Sequence, residues 1–276
     1  MTSVLWSGPF APFQAPGATI PGAALASLPC KGDGSPSCGQ IANAMVDAEG
    51  RRLPNLLRSG LIIPEPGPPI DSEDPDLCLG AFSAGGSLVK RVCLSAADRA
   101  AIRVVALADA TYAGWLPNGQ PEAPEGFVLY ALDALTGPHL VVATASSSPN
   151  GQHPNGSQVL EAIKNEVERR SGLAFEEGGE LVGVDPQPAR VWHLGGVVLA
   201  DYQGLVTHGQ HATVLAPQIW QNVIAPWLAG ETRPGPRETA PAPPPEDPWW
   251  PNALALLVAA GAGYAGVRWA QRSLRA

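Results

Sequence analysis

The chain is 276 residues long, with 17 Lys and Arg against 25 Asp and Glu, a formal net charge of -8 and 45% hydrophobic residues. That length suits one α/β domain of about 200 to 250 residues plus a tail, and with only three lysines it shows no basic footprint for nucleic acid. The four cysteines follow no familiar zinc spacing.

The first residues, Met1 to Trp6, have no basic region followed by a long apolar run, so no conventional secretory signal is expected. Ser3 to Ser7 reads as a first strand, and Gly8-Pro9-Phe10-Ala11-Pro12 as the loop after it. Cys30 and Cys38 flank a polar loop and could close a small disulfide ring in an oxidising compartment, whereas Cys78 and Cys93 read as buried apolar residues. Gln40 to Leu53 is expected to be a helix stopped by Pro54, with Ile41, Ala44, Met45 and Ala48 on one face. Gly60 to Ile63 is expected to be a short buried strand closed by Pro64. The acidic, proline-rich stretch from Pro66 to Asp76 reads as a solvated connection.

Leu77-Cys78-Leu79 predicts a buried strand running into Gly80-Ala81-Phe82-Ser83-Ala84-Gly85-Gly86, and Ala84 to Leu94 predicts a helix. Strand, sharp turn and helix with a serine at the apex lift a hydroxyl clear of the backbone, and small residues two before and two after the serine allow strand and helix to approach. Ile102 to Ala108 is a second buried strand that delivers Asp109 at its end. His139 to Thr144 is a third, running into Ala145-Ser146-Ser147-Ser148 without a carboxylate, which leaves Asp109 as the candidate acid.

Ser157 to Ser171 predicts a helix with Val159, Leu160, Ile163 and Val167 inward and Gly172 as its stop. Residues 172–190 read as irregular. Val197 to Ala200 is a further strand, followed by Thr207-His208-Gly209-Gln210-His211 and by a helix over Leu215 to Leu228 whose tryptophans read as core. Thr207 could cap a turn beginning at His208, which favours His208 as the base; His211, one turn further in, is the alternative and is better suited to packing. Two histidines at i, i+3 without a third ligand nearby do not make a metal site, and no cofactor is expected. His139, His153 and His193 read as strand-edge or loop residues.

The order Ser83, Asp109, His208 at the ends of strands in an α/β pattern resembles the α/β-hydrolase superfamily, in a small serine-esterase or lipase-like form, over roughly residues 3 to 229. The resemblance implies a mainly parallel sheet with helices on both faces and an acyl transfer by Ser83 on a small-molecule or lipid ester. It also implies an oxyanion hole formed by the N–H groups of Ala84 and of Phe10, since Pro9 and Pro12 have none to offer. Two positions depart from the family pattern: Ala81 stands where glycine is usual, and the acid follows the strand directly after the nucleophile.

After residue 230 the composition changes. Residues 231–248 read as a stiff Pro-rich linker, and residues 249–276 as a hydrophobic helix. Its uncharged run from Asn252 to Val267, with Trp249, Trp250 and the terminal arginines, is expected to act as a single-pass membrane anchor. Gly261-Ala262-Gly263-Tyr264-Ala265-Gly266 matches a dinucleotide fingerprint but lacks the strand and turn that such a site needs; small residues there suit helix packing. A non-catalytic hydrolase-shaped component of a membrane or virion assembly is the alternative function.

Overall fold

Apolar runs long enough to be buried on both sides dictate the centre of this protein. The computed structural model describes residues 2–8, 23–30, 36–64, 76–148 and 151–231. Phe10 and the sequence from residue 232 onward, which carries nearly all of the linker and the expected membrane anchor, lie outside the described residues. Among the described residues no helix is long and apolar enough to cross a membrane.

Nine strands form one sheet among the described residues: β1 (Thr2–Gly8), β2 (Ala23–Pro29), β3 (Ile63–Pro64), β4 (Cys78–Phe82), β5 (Val104–Ala108), β6 (Leu140–Ser146), β7 (Glu176–Glu177), β8 (Arg190–Leu194) and β9 (Val197–Gln203). Their order is β3-β2-β1-β4-β5-β6-β9-β8-β7. The six inner strands from β2 to β9 are parallel throughout, and only the edge pairings β2–β3, β9–β8 and β8–β7 are antiparallel. Parallel strands require crossovers that cover both faces of the sheet, which is why β4, β5 and β6 are buried along their entire length. The result is an α/β architecture, a mainly parallel sheet with helices on both faces.

Side-chain alternation divides the core in two. Leu79 and Ala81 of β4 and Val105 and Leu107 of β5 face one layer, formed with α1 (Cys38–Ala44), α2 (Leu53–Arg58), α3 (Gly86–Val92), α5 (Glu125–Thr136) and α6 (Gly156–Ser171). Cys78, Phe82, Val104, Ala106 and Ala108 point the other way, onto the helical segment 208–228. A sixth helix, α4 (Ala96–Ala101), leads into β5. Every second residue of a strand serves the opposite layer, so these five-residue strands hold two hydrophobic cores at once.

The helix expected from Gln40 to Leu53 is two helices. Ser37 and Gln40 form a capping box that starts α1, which ends at Ala44. The Asp47 carboxylate then accepts the N–H groups of Glu49 and Arg51, and Gly50 turns the chain at φ 78°. Pro54 lies in the first turn of α2, where a missing N–H costs nothing, so it begins a helix where the sequence suggested it would end one. Of the strand expected at 60–63 only Ile63 is paired, together with Pro64 beyond it, and Leu61 is exposed. His193 lies in the middle of β8, in a region read as strand edge or loop. Cys30 and Cys38 are disulfide-bonded, joining the end of β2 to the start of α1, while Cys78 and Cys93 are free and buried.

The segment 208–228 alternates α-helical with π-helical turns. Ala216 N–H donates to the His211 carbonyl and Ala225 N–H to that of Trp220, each five residues back and each just before a proline. Pro217 and Pro226 have no N–H for the ordinary ladder, and the chain widens by one residue ahead of each.

Candidate active site

Ser83 follows β4 directly. Phe82 is still extended, at φ -121°, ψ 137°, and Ser83 turns sharply to φ 53°, a left-handed conformation that non-glycine residues rarely adopt. A short 3-10 turn, Ser83–Gly85, then leads into α3. The turn fits because its neighbours are small. A Cβ on Gly85 would lie 2.1 Å from the Ser7 carbonyl oxygen, so the end of β1 packs on the turn itself. Ala84, second in that turn, occupies a position where helical N–H groups have no intrahelical acceptor.

Asp109 ends β5, one strand along, and has the same rare conformation, with φ 45°. Its backbone N–H donates to the Thr144 carbonyl (2.9 Å). Its carboxylate is 5% exposed and is held from three sides. Ser146, at the end of β6, donates its hydroxyl to Oδ2 (2.7 Å) and its N–H to Oδ1 (3.1 Å). His208 Nδ1–H donates to Oδ2 (2.7 Å). The third neighbour is the beginning of α6, where a Cβ on Gly156 would fall 2.5 Å from Oδ1. The positive end of a 16-residue helix therefore faces the carboxylate. Burial pushes the Asp109 carboxyl up, but the His208 hydrogen bond, the nearby His211 and the two Ser146 bonds outweigh it, and the group sits below the usual carboxylate range.

His208 is the first residue of the C-terminal helical segment, fixed by Gln210 Oε1, which accepts the Thr207 N–H (2.7 Å). Its ring stacks on Phe82 at 4.6 Å between centroids and meets the Tyr112 ring edge-on at 6.4 Å. Phe82 is the residue before Ser83, so the stack brings the imidazole beside the turn. With Nδ1 engaged by Asp109, Nε2 is the nitrogen left to exchange a proton. Among the described residues no hydrogen bond joins Ser83 to His208; the Tyr112 phenol is a neighbour of the Ser83 hydroxyl, which partly opposes the rise that burial gives the phenol's pKa. Catalytic hydrogen bonds are often long before substrate binds.

His211 is elsewhere. It is fully buried, with Nδ1 2.8 Å from the Thr144 hydroxyl and an edge-on contact to Tyr202. Burial lowers its pKa to about 4, so it is neutral at pH 7. A buried neutral histidine makes stability depend on pH in a defined sense. Below pH 6.5 the unfolded chain takes up a proton that the folded chain refuses until about pH 4, so this contribution is complete above 6.5 and is lost as pH falls through that window. The whole window is worth about 3 kcal/mol. Urea unfolding at pH 7 and pH 4.5 is expected to show a loss of this order in the wild type and a smaller loss in His211→Leu, in which Thr144 keeps the Leu107 carbonyl as a partner.

Of the residues expected from sequence, then, Asp109 and His208 are in direct contact and Ser83 lies beside them, while His211 belongs to the core. Phe10 lies outside the described residues. Ser146 and Tyr112 were not picked out from sequence. The run Ala145 to Ser148 is visible in the sequence, but only strand pairing reveals that Ser146 returns to Asp109 across 37 residues. Among the described residues no group of three or more His, Cys, Asp or Glu is arranged to hold a metal ion. A cavity of about 620 Å3 between residues 116–123 and α6 has walls that include none of Ser83, Asp109 or His208.

No family model and no curated protein matches the sequence. Among solved structures, LpqC, a poly(3-hydroxybutyrate) depolymerase from Bordetella parapertussis, is similar over 79% of this chain and 78% of its own, with a TM-score of 0.43 and 16% sequence identity.

Proposed function

We propose that this protein is a serine hydrolase that cleaves an ester or related acyl bond. The observation that carries the reading is the 2.7 Å hydrogen bond from His208 to an ionised, buried Asp109, made beside a serine in a strained strand-to-helix turn. Ser83 and Asp109 hold left-handed conformations at adjacent strand ends, each at a cost of about 1 to 3 kcal/mol of strain.

In this reading Asp109 fixes the imidazole with its proton on Nδ1, and Nε2 accepts the Ser83 proton as Oγ attacks the acyl carbon. The imidazolium that forms is stabilised by the Asp109 carboxylate. The oxyanion is met by the Ala84 N–H, a donor worth about 3 to 4 kcal/mol in comparable sites. When the tetrahedral species collapses, Nε2–H protonates the departing alcohol; water then attacks the acyl carbon as Nε2 takes its proton, and when the Oγ–acyl bond breaks His208 returns that proton to Ser83 and the acid leaves. No cofactor takes part in these steps.

The test is labelling of the full chain with a fluorophosphonate probe, followed by peptide mapping. Label is expected on Ser83, to be absent in Ser83→Ala and His208→Ala, and to persist in His211→Ala. A folded protein that takes no label would overturn the hydrolase reading in favour of a binding or structural role.

A further inference from the structure

Tyr112 is a hydroxyl-bearing side chain beside His208 that the steps above leave unused. Its placement is tightly determined. Asp109 to Tyr112 is a single loop, and a Cβ on Gly86, the first residue of α3, would lie 1.7 Å from the Ala110 carbonyl oxygen. The loop therefore lies directly against the turn that carries Ser83. Ala110 and Thr111 are buried, the Thr111 hydroxyl donates to the Gly156 carbonyl (3.4 Å), and Lys90 Nζ donates to the Tyr112 carbonyl (3.0 Å). One loop thus presents a carboxylate to Nδ1 of His208 and, three residues later, a phenol whose ring meets the imidazole edge-on at 6.4 Å and whose hydroxyl neighbours that of Ser83.

We infer that Tyr112 is a further catalytic residue of the proposed hydrolase: its phenol holds the Ser83 hydroxyl before attack and the alcohol oxygen of the ester during its departure. The inference rests on the hydrolase reading. The phenol is a neutral donor at working pH, since burial raises its pKa, an effect the Ser83 contact only partly opposes. Once Oγ is bonded to the acyl carbon, a donor that faced it needs another acceptor. Tyr112 lies on the His208 side of Ser83, with its ring 6.4 Å from the imidazole. The oxygen on that side is the one His208 protonates, not the oxyanion that meets Ala84. In the collapse step the acyl carbon–oxygen bond breaks, the proton passes from Nε2 to the alcohol oxygen, and the phenol keeps its own proton while stabilising the charge that builds there.

Such a donor matters most where the leaving oxygen is strongly basic. Wild type and Tyr112→Phe are to be compared on an alkyl ester and a p-nitrophenyl ester of the same acid, with melting temperatures alongside. Removing the phenol oxygen is expected to lower kcat/KM on the alkyl ester by about tenfold more than on the aryl ester, the size of one hydrogen bond to a developing charge, with the melting temperature unchanged. Equal losses on both esters, or no loss, in an active enzyme would overturn the role of Tyr112 alone. A wild type inert on both esters and to the fluorophosphonate probe would overturn the hydrolase reading and this inference with it.

Discussion

Asp109→Asn is expected to lower kcat by about 10^4-fold while leaving the protein folded. The carboxylate accepts the Nδ1 proton of His208 and so keeps Nε2 unprotonated and able to take the Ser83 proton. An amide can instead donate to Nδ1, which moves the imidazole proton to Nε2, the wrong nitrogen for a base. The substitution removes a charge and little else. Asparagine tolerates the left-handed backbone that Asp109 adopts at φ 45°, whereas alanine would add strain to the loss of the hydrogen bonds. The Ser146 N–H keeps Oδ1 as its acceptor, while the Ser146 hydroxyl, which donates to Oδ2 of the aspartate, turns to accept from the amide nitrogen that replaces that oxygen. Steady-state kinetics on an ester that the wild type turns over, with thermal melts of both proteins, would check it. A variant within tenfold of the wild type would show that Asp109 caps its loop and has no part in orienting His208.

The elements that place these residues were legible to different degrees. β4, β5 and β6 could be read because strands buried on both faces appear as unbroken apolar runs, and the turn at Ser83 because small residues mark a close approach of strand and helix. β2 could not: Ala23 to Pro29 is a mixture of Ala, Leu and Ser with neither alternation nor branched residues, and it becomes a strand by pairing along its whole length with β1. α5 was missed for a similar reason, since it starts at Pro124 without a side-chain cap and carries buried residues on most of its surface. Local rules misled at Pro54, because a proline that can stop one helix is equally suited to starting the next. At the site, the choice between two histidines three residues apart could be argued from helix register, but the partners of Asp109 could not. Ser146 and Gly156 reach it only because β5 and β6 are neighbours and α6 begins where β6 ends. Tyr112 was harder still: nothing in its local sequence distinguishes a phenol beside His208 from one on the surface.

Gly86→Ala is expected to be the most damaging single change to stability around the site, and the reason lies in how the two halves of the site are joined. The added Cβ would fall 1.7 Å from the Ala110 carbonyl oxygen and 2.7 Å from its carbon, both backbone atoms that cannot swing aside. Ala110 is fully buried and directly follows Asp109, and Gly86 is itself buried at the first position of α3. Relief requires that either α3 retreats, taking the Ser83 turn with it, or the loop retreats, taking Asp109 and Tyr112. Overpacking of this kind costs about 1 to 3 kcal/mol where side chains can adjust, and a clash between two backbones belongs at or above the top of that range. Gly204→Ala is the matched control, since a Cβ there meets nothing within 4 Å. Urea unfolding should separate the two variants clearly, and the residual activity of any folded Gly86→Ala protein should fall further than its stability, because the same displacement separates Ser83 from Asp109. Equal stability of the two variants would mean that the loop and α3 are not in contact, and the close placement of Tyr112 over Ser83 would fail with it.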